Sequence, residues 1–150
     1  LMAKSPKCVW VHPTPPSSLP TGMILSTFRE IYTFGQGDNG QLGHNDGGKS
    51  YQEPKMIDFF YKNNLKAIDV ACGEKHTVVL TQDGDVWTFG WGGRKLNALF
   101  QIFYSSTGPL GHGDSKTHHT PVPVEELRKH PKVISVNAGR SFTTVVNKNN

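Results

Sequence analysis

Two runs of β-branched and aromatic residues, His76-Thr77-Val78-Val79-Leu80-Thr81 and Val86-Trp87-Thr88-Phe89, flank the polar stretch Gln82-Asp83-Gly84-Asp85. Runs of this composition read as strands. Asp-Gly between them reads as a hairpin turn, because glycine accepts the positive φ that a tight turn demands. Alternation along the second run sets Trp87 and Phe89 on one side and Val86 and Thr88 on the other, and the aromatic pair reads as core. Residues 66–71 and 132–138 each supply a strand ahead of such a run, with Val70 and Val136 at matching positions. Residues 142–146 open a further hairpin. Upstream, Met23-Ile24-Leu25 takes the place of Val78-Val79-Leu80, but Thr27-Phe28-Arg29 stands where the Asp-Gly turn would be. The pattern predicts an all-β chain.

The pattern also repeats. Ile31-Tyr32-Thr33-Phe34-Gly35 returns as Val86-Trp87-Thr88-Phe89-Gly90, an offset of 55, and Gln41-Leu42-Gly43-His44 returns as Pro109-Leu110-Gly111-His112, an offset of 68. Ala67-Ile68-Asp69-Val70-Ala71-Cys72-Gly73 returns as Val133-Ile134-Ser135-Val136-Asn137-Ala138-Gly139 at an offset of 66. The jump in offset places about thirteen additional residues in the second copy, within 94–107, on an underlying period of about 53. A period of that size marks a repeat architecture, in which each unit buries its faces on its neighbours. The domain reading is a first repeat region at 23–90 and a second at 91–150. Residues 1–22, with the Pro- and Ser-rich tract 13–20, lack an apolar periodicity and are expected to be unstructured.

The succession Phe34-Gly35-Gln36-Gly37-Asp38-Asn39-Gly40-Gln41-Leu42-Gly43-His44, Pro54, Val70-Ala71-Cys72-Gly73, His76-Thr77-Val78-Val79-Leu80 and Asp83-Gly84-Asp85-Val86-Trp87-Thr88-Phe89-Gly90 resembles the regulator of chromosome condensation repeat. The resemblance covers residues 23–146. It implies an incomplete β-propeller, about two four-stranded antiparallel blades of a seven-bladed family. The second copy departs from the pattern by its insertion and by Phe142 where the first has His76. Family members include an exchange factor for the small GTPase Ran that works on chromatin, ultraviolet-B receptors, propeller modules of ubiquitin ligases and regulators of ciliary GTPases. The photoreceptors carry Gly-Trp-Arg-His-Thr, where this chain has Gly73-Glu74-Lys75-His76-Thr77 and Gly139-Arg140-Ser141-Phe142-Thr143. Without those tryptophans the resemblance argues against light sensing.

Two nucleotide-binding patterns occur by accident of the glycine loop. Gly35-Gln36-Gly37-Asp38-Asn39-Gly40 fits the dinucleotide pattern and Gly43-His44-Asn45-Asp46-Gly47-Gly48-Lys49-Ser50 fits a phosphate loop. Both chemistries need a helix whose N-terminus faces the phosphate. Three glycines follow within residues 41–48, at about 1 kcal/mol each against helix, and Pro54 stops a helix after the second pattern. Repetition accounts better for the glycines: they let the chain turn sharply between strands. His44 and His112 occupy equivalent positions, with His118 and His119 beyond, and read as hydrogen-bonding loop residues rather than as a zinc set, which needs three or four converging ligands.

Composition narrows the function. Gly 16 and Pro 10 suit a turn-rich fold, and the net charge is +4. Lys4, Lys7, Arg94 and Lys95 carry that excess while the rest of the chain balances, so no dedicated nucleic-acid face emerges. No apolar run approaches the ~18 residues of a membrane span. Cys8 and Cys72 are too few for a disulfide framework, which suits a reducing intracellular compartment, nucleus or cytoplasm. No hydrolytic or redox site, metal or cofactor is expected. The reading is a protein-interaction module, part of a small-GTPase regulator, with loop residues Asp38, Asn39, His44, His112 and Asp114 as candidate partner contacts. Two alternatives stand beside it: an exchange factor for a Ran-like GTPase, and a non-functional fragment or truncated gene product, since seven blades would need roughly 370 residues. Unpaired edges and uncovered faces predict that the chain completes its fold with further blades or by self-association.

Overall fold

A computed structural model describes residues 10–11, 25–27, 30–93 and 108–148. The strands are β1 (Trp10–Val11), β2 (Leu25–Thr27), β3 (Glu30–Gly35), β4 (Tyr51–Met56), β5 (Ala67–Cys72), β6 (His76–Thr81), β7 (Val86–Gly90), β8 (His118–Pro123), β9 (Val133–Ala138) and β10 (Thr143–Asn147). Short helices α1 (Asp58–Lys62) and α2 (Glu125–Arg128) follow β4 and β8. The insertion 94–107 and all of 1–22 except Trp10–Val11 lie outside the described residues. Within the segment expected to be unstructured, β1 pairs in parallel with β2.

Three sheets result, in the orders β1-β2-β3-β4, β5-β6-β7-β8 and β9-β10. The middle sheet is an antiparallel meander, and it straddles the repeat division at 90/91 because β7 and β8 pair on either side of the insertion. Its β6–β7 hairpin closes at the expected Asp83-Gly84 turn, where Gly84 has φ +89° and donates its N–H to Thr81 O at 2.8 Å. β5 and β9 lie side by side, and β1 lies beside β5. The sheets therefore align by their first strands, as propeller blades do.

Alternation decides what each sheet face meets. Val79, Trp87 and Phe89 join Ile31 of β3 and Ile57 and Phe60 at and within α1 in one core, with Ala67 and Val70. Val78, Leu80 and Val86 join Val124, Val133 and Val136 in a second core against the third sheet. Every residue of β6 and β7 is buried, because a strand in mid-blade is covered on both faces and paired on both edges. Burial of a side chain such as Phe89 stabilises by about 2–3 kcal/mol. Adjacent sheets are also stitched by polar groups. Asp69 Oδ2 accepts from Val136 N at 3.1 Å and Ser135 Oγ at 3.3 Å, and Lys132 Nζ donates to Gln82 O at 2.6 Å. Among the described residues no helix is long and apolar enough to cross a membrane.

Candidate functional site

Two glycine loops leave the same end of their sheets, one joining β3 to β4 and the other joining β7 to β8. Both re-enter the sheet through a close backbone crossing. A Cβ on Gly37 would lie 1.9 Å from Lys49 O, and one on Gly92 would lie 1.8 Å from Lys116 O, so only glycine fits at either place.

The loops are then pinned by one hydrogen-bond module, used twice. Thr33 Oγ1 donates to Leu42 O at 2.7 Å, and His44 Nε2 lies 2.9 Å from the same hydroxyl. In the next repeat Thr88 Oγ1 donates to Leu110 O at 2.7 Å, with His112 Nε2 at 2.9 Å. A hydroxyl has one hydrogen, and the carbonyl takes it, so each histidine must carry its ring proton on Nε2 and donate. Burial pushes both imidazoles below their ordinary pKa, helped at His44 by the charge of Lys55 and at His112 by His118.

The neighbouring blade holds the adjacent carbonyl. Thr77 Oγ1 donates to Gln41 O, and Thr143 Oγ1 donates to Pro109 O, both at 2.7 Å. Two successive carbonyls of each loop are thus fixed by threonines of two different sheets. His76 Nε2 lies 3.1 Å from Thr143 Oγ1 and donates to it by the same one-hydrogen argument. His76 is 1% exposed, and desolvation lowers its pKa to about 4. The nearby Phe142 backbone favours the proton slightly, yet Nδ1 has no hydrogen-bond partner.

The candidate contacts divide by burial. His44 and His112 are half-buried within the modules. Asp38 is exposed, with Ser50 Oγ at 3.4 Å from its Oδ1, and Asn39 donates its backbone N–H to Gln41 Oε1 at 2.9 Å. Asp114 accepts from Lys116 N at 3.0 Å, and that bond leads the causes that lower its pKa. The five residues form no single cluster. They sit on two equivalent loops of one face.

Sequence reasoning passed over Asp46, the equivalent of Asp114 at the same offset of 68. Its carboxylate accepts from Tyr51 OH at 2.5 Å, Lys49 N at 3.1 Å and Lys55 Nζ at 3.4 Å. Burial alone would raise its pKa, but these donors outweigh it and hold the group at about 2. It also passed over the loops joining first to second strands at this same end. There Arg140 pairs with Glu74, and Lys75 Nζ stands 5.8 Å from the centroid of the Trp91 ring. Glu74 and Arg140 are 66 residues apart, the repeat offset, so the signal was present. Among the described residues no three His, Cys, Asp or Glu side chains converge as a metal set.

Antiparallel sheets aligned by their first strands and cross-tied by repeated loop modules define a β-propeller repeat protein. The chain belongs to the regulator of chromosome condensation (RCC1) repeat family, whose models match residues 30–80, 104–146 and 67–94. It is 32% identical to human E3 ubiquitin-protein ligase HERC2 over 115 residues, covering 77% of this chain and 2% of that protein. It is 30% identical to the zebrafish protein RCC2 homolog over 124 residues, covering 83% of this chain and 22% of the relative. Among solved structures, yeast RCC1 (Prp20) bound to Kap60 superposes with a TM-score of 0.54 at 25% identity, covering 84% of this chain and 30% of that one. The chain thus spans less than a third of each.

Proposed function

We propose that the chain is the interaction-bearing part of a propeller module that presents its glycine-loop face to a protein partner, within a small-GTPase regulator. One observation supports this above the others: each loop is held at two carbonyls by threonines of two sheets. Loops so fixed meet a partner with little ordering cost, while Asp38, Asn39 and Asp114 keep side-chain atoms toward solvent. The setting is intracellular, nucleus or cytoplasm, in keeping with the family. The relatives differ in role, and a shared fold does not select among roles.

The test is capture of a nucleotide-free Ran-like GTPase on the immobilised chain, followed by release of labelled GDP from the loaded GTPase. Capture that Asp38→Arg or Asp114→Arg abolishes, and that Asp83→Arg on the opposite face leaves intact, supports the loop-face reading. Capture that all three variants leave intact overturns it. Accelerated GDP release would move the reading to an exchange factor.

A further inference from the structure

The two glycine loops carry the same lysine in the same setting. Asp46 accepts from Lys49 N at 3.1 Å in the first loop, and Asp114 accepts from Lys116 N at 3.0 Å in the second. Each lysine carbonyl closes on a loop glycine, Gly37 or Gly92, and both lysines are exposed. The residue before that glycine differs: Gln36 in the first loop, Trp91 in the second. Gln36 is exposed although the whole four-stranded middle sheet stands beside it. The position therefore faces solvent by its place in the loop, not for want of a neighbour. The loop folds with glutamine there, so its own packing does not call for an indole. Trp91, half-buried, is surplus to the fold and of the residue type that most often anchors an interface.

Backbone contacts set cations on both sides of it. Trp91 N donates to Lys75 O at 2.7 Å, and the exposed Lys75 brings Nζ to 5.8 Å from the ring centroid, within cation–π range. On the other side the next residue, Gly92, lies against Lys116 O. The carboxylates of this patch sit lower than its cations. Asp114 is 39% exposed where its partner Lys116 is 76% exposed, and Glu74 is the more enclosed member of its pair with Arg140. At the opposite end, on α2, Glu126 and Lys129 are 65% and 68% exposed. The loop end thus presents ammonium tips above sunken, paired carboxylates, while the helix end presents both signs alike.

We propose that Trp91, Lys75 and Lys116 form the anchor of the loop face, and that it takes an extended acidic segment of a partner protein. An apolar side chain of the segment packs on the indole, and carboxylates on either side of it meet the two ammonium groups. The indole supplies affinity and the cations supply selectivity. The inference rests on the loop-face reading above and names the chemistry of the partner. Charge balance favours a peptide over a nucleic acid: Glu74 and Asp114 offset most of the positive charge, which leaves little to gather a row of phosphates.

The experiment titrates the 150-residue chain into a fluorescein-labelled peptide, Asp-Glu-Asp-Leu-Phe-Asp-Glu-Asp, and follows anisotropy. Saturable binding is expected. Trp91→Gln copies the first loop and so keeps the fold; it weakens binding about 30-fold, the scale of an aromatic anchor. Lys75→Glu and Lys116→Glu each weaken it about tenfold, and added salt weakens it further. Lys129→Glu at the opposite end changes nothing. A peptide with Ser-Ser in place of Leu-Phe, or with lysines in place of the acids, does not bind. No binding, binding that Trp91→Gln leaves intact, or tighter binding of a uridine oligonucleotide than of the peptide overturns the proposal. Its failure is distinct from that of the reading it rests on. GTPase capture without peptide binding removes this inference alone, and Trp91-dependent peptide binding without capture removes the GTPase reading alone.

Discussion

His76 and Phe142 hold the same position in successive repeats, as do Leu80 and Val146. His76 is 1% exposed and Leu80 0%, against 59% for Phe142 and 42% for Val146. His76 opens β6 and Phe142 directly precedes β10, strands of six and five residues that are each paired with their predecessor. The difference is a neighbour. The middle sheet is covered by the first on one face and by β9 on the other, while among the described residues the third sheet has only the middle one. In a repeat protein stability is a sum of unit and interface contributions, and the complete and half-complete sheets of this chain separate the two.

The sharpest way to break the comparison is to remove an aromatic from each sheet. Phe89→Ala is expected to cost about 3–5 kcal/mol, the range for a fully buried aromatic, measured by chemical denaturation. Phe142→Ala should cost less than about 1 kcal/mol, as for an exposed site. Equal losses would mean that the third sheet is as well covered as the second.

Acid should distinguish the sheets next. His76 protonates near pH 4 in the folded chain and near 6.5 when unfolded. Between those values the unfolded state binds more protons, so stability present above pH 6.5 is lost as pH falls through 4. At most about 3 kcal/mol is involved. His76→Phe, which copies the residue found in the third sheet, should flatten the fall of melting temperature over that window. An unchanged slope would place the acid sensitivity elsewhere.

A smaller test uses glycine. A Cβ on Gly73 would lie 2.2 Å from the buried His76 ring and 2.5 Å from Gly139 O, so Gly73→Ala should cost about 1–3 kcal/mol through overpacking. On Gly139 the obstacle is the Phe142 ring at 2.2 Å, and an exposed ring can swing away. Gly139→Ala should therefore shift the melting curve much less. The smallest effect belongs to Arg140→Ala: the ion pair with Glu74 is exposed, such pairs contribute little, and the melt should not move.

Much of this fold was legible from the residues. The hairpin 76–89 announced itself through strand composition on both sides of Asp-Gly, and the offsets of 55, 66 and 68 matched the equivalent loops by residue order alone. The role of His44 and His112 as loop hydrogen-bonders was readable from their repetition. Their partners were not, since Thr33 and Thr88 stand eleven and twenty-four residues away and no local pattern links a strand threonine to a loop histidine.

What the amino-acid sequence determined by itself was periodic and local: strand runs, the Asp83-Gly84 turn, the recurring glycine loops, and the family. Those depend on backbone sterics and side-chain alternation within a few residues. Tertiary structure alone decided which sheet faces are covered, that Thr77 and Thr143 reach loops of the preceding sheet, that His76 is neutral and enclosed, and that β1 joins the first sheet in parallel. Burial and cross-sheet hydrogen bonds depend on what stands opposite. Two repeats with nearly the same pattern accordingly differ most where one has a neighbour and the other does not.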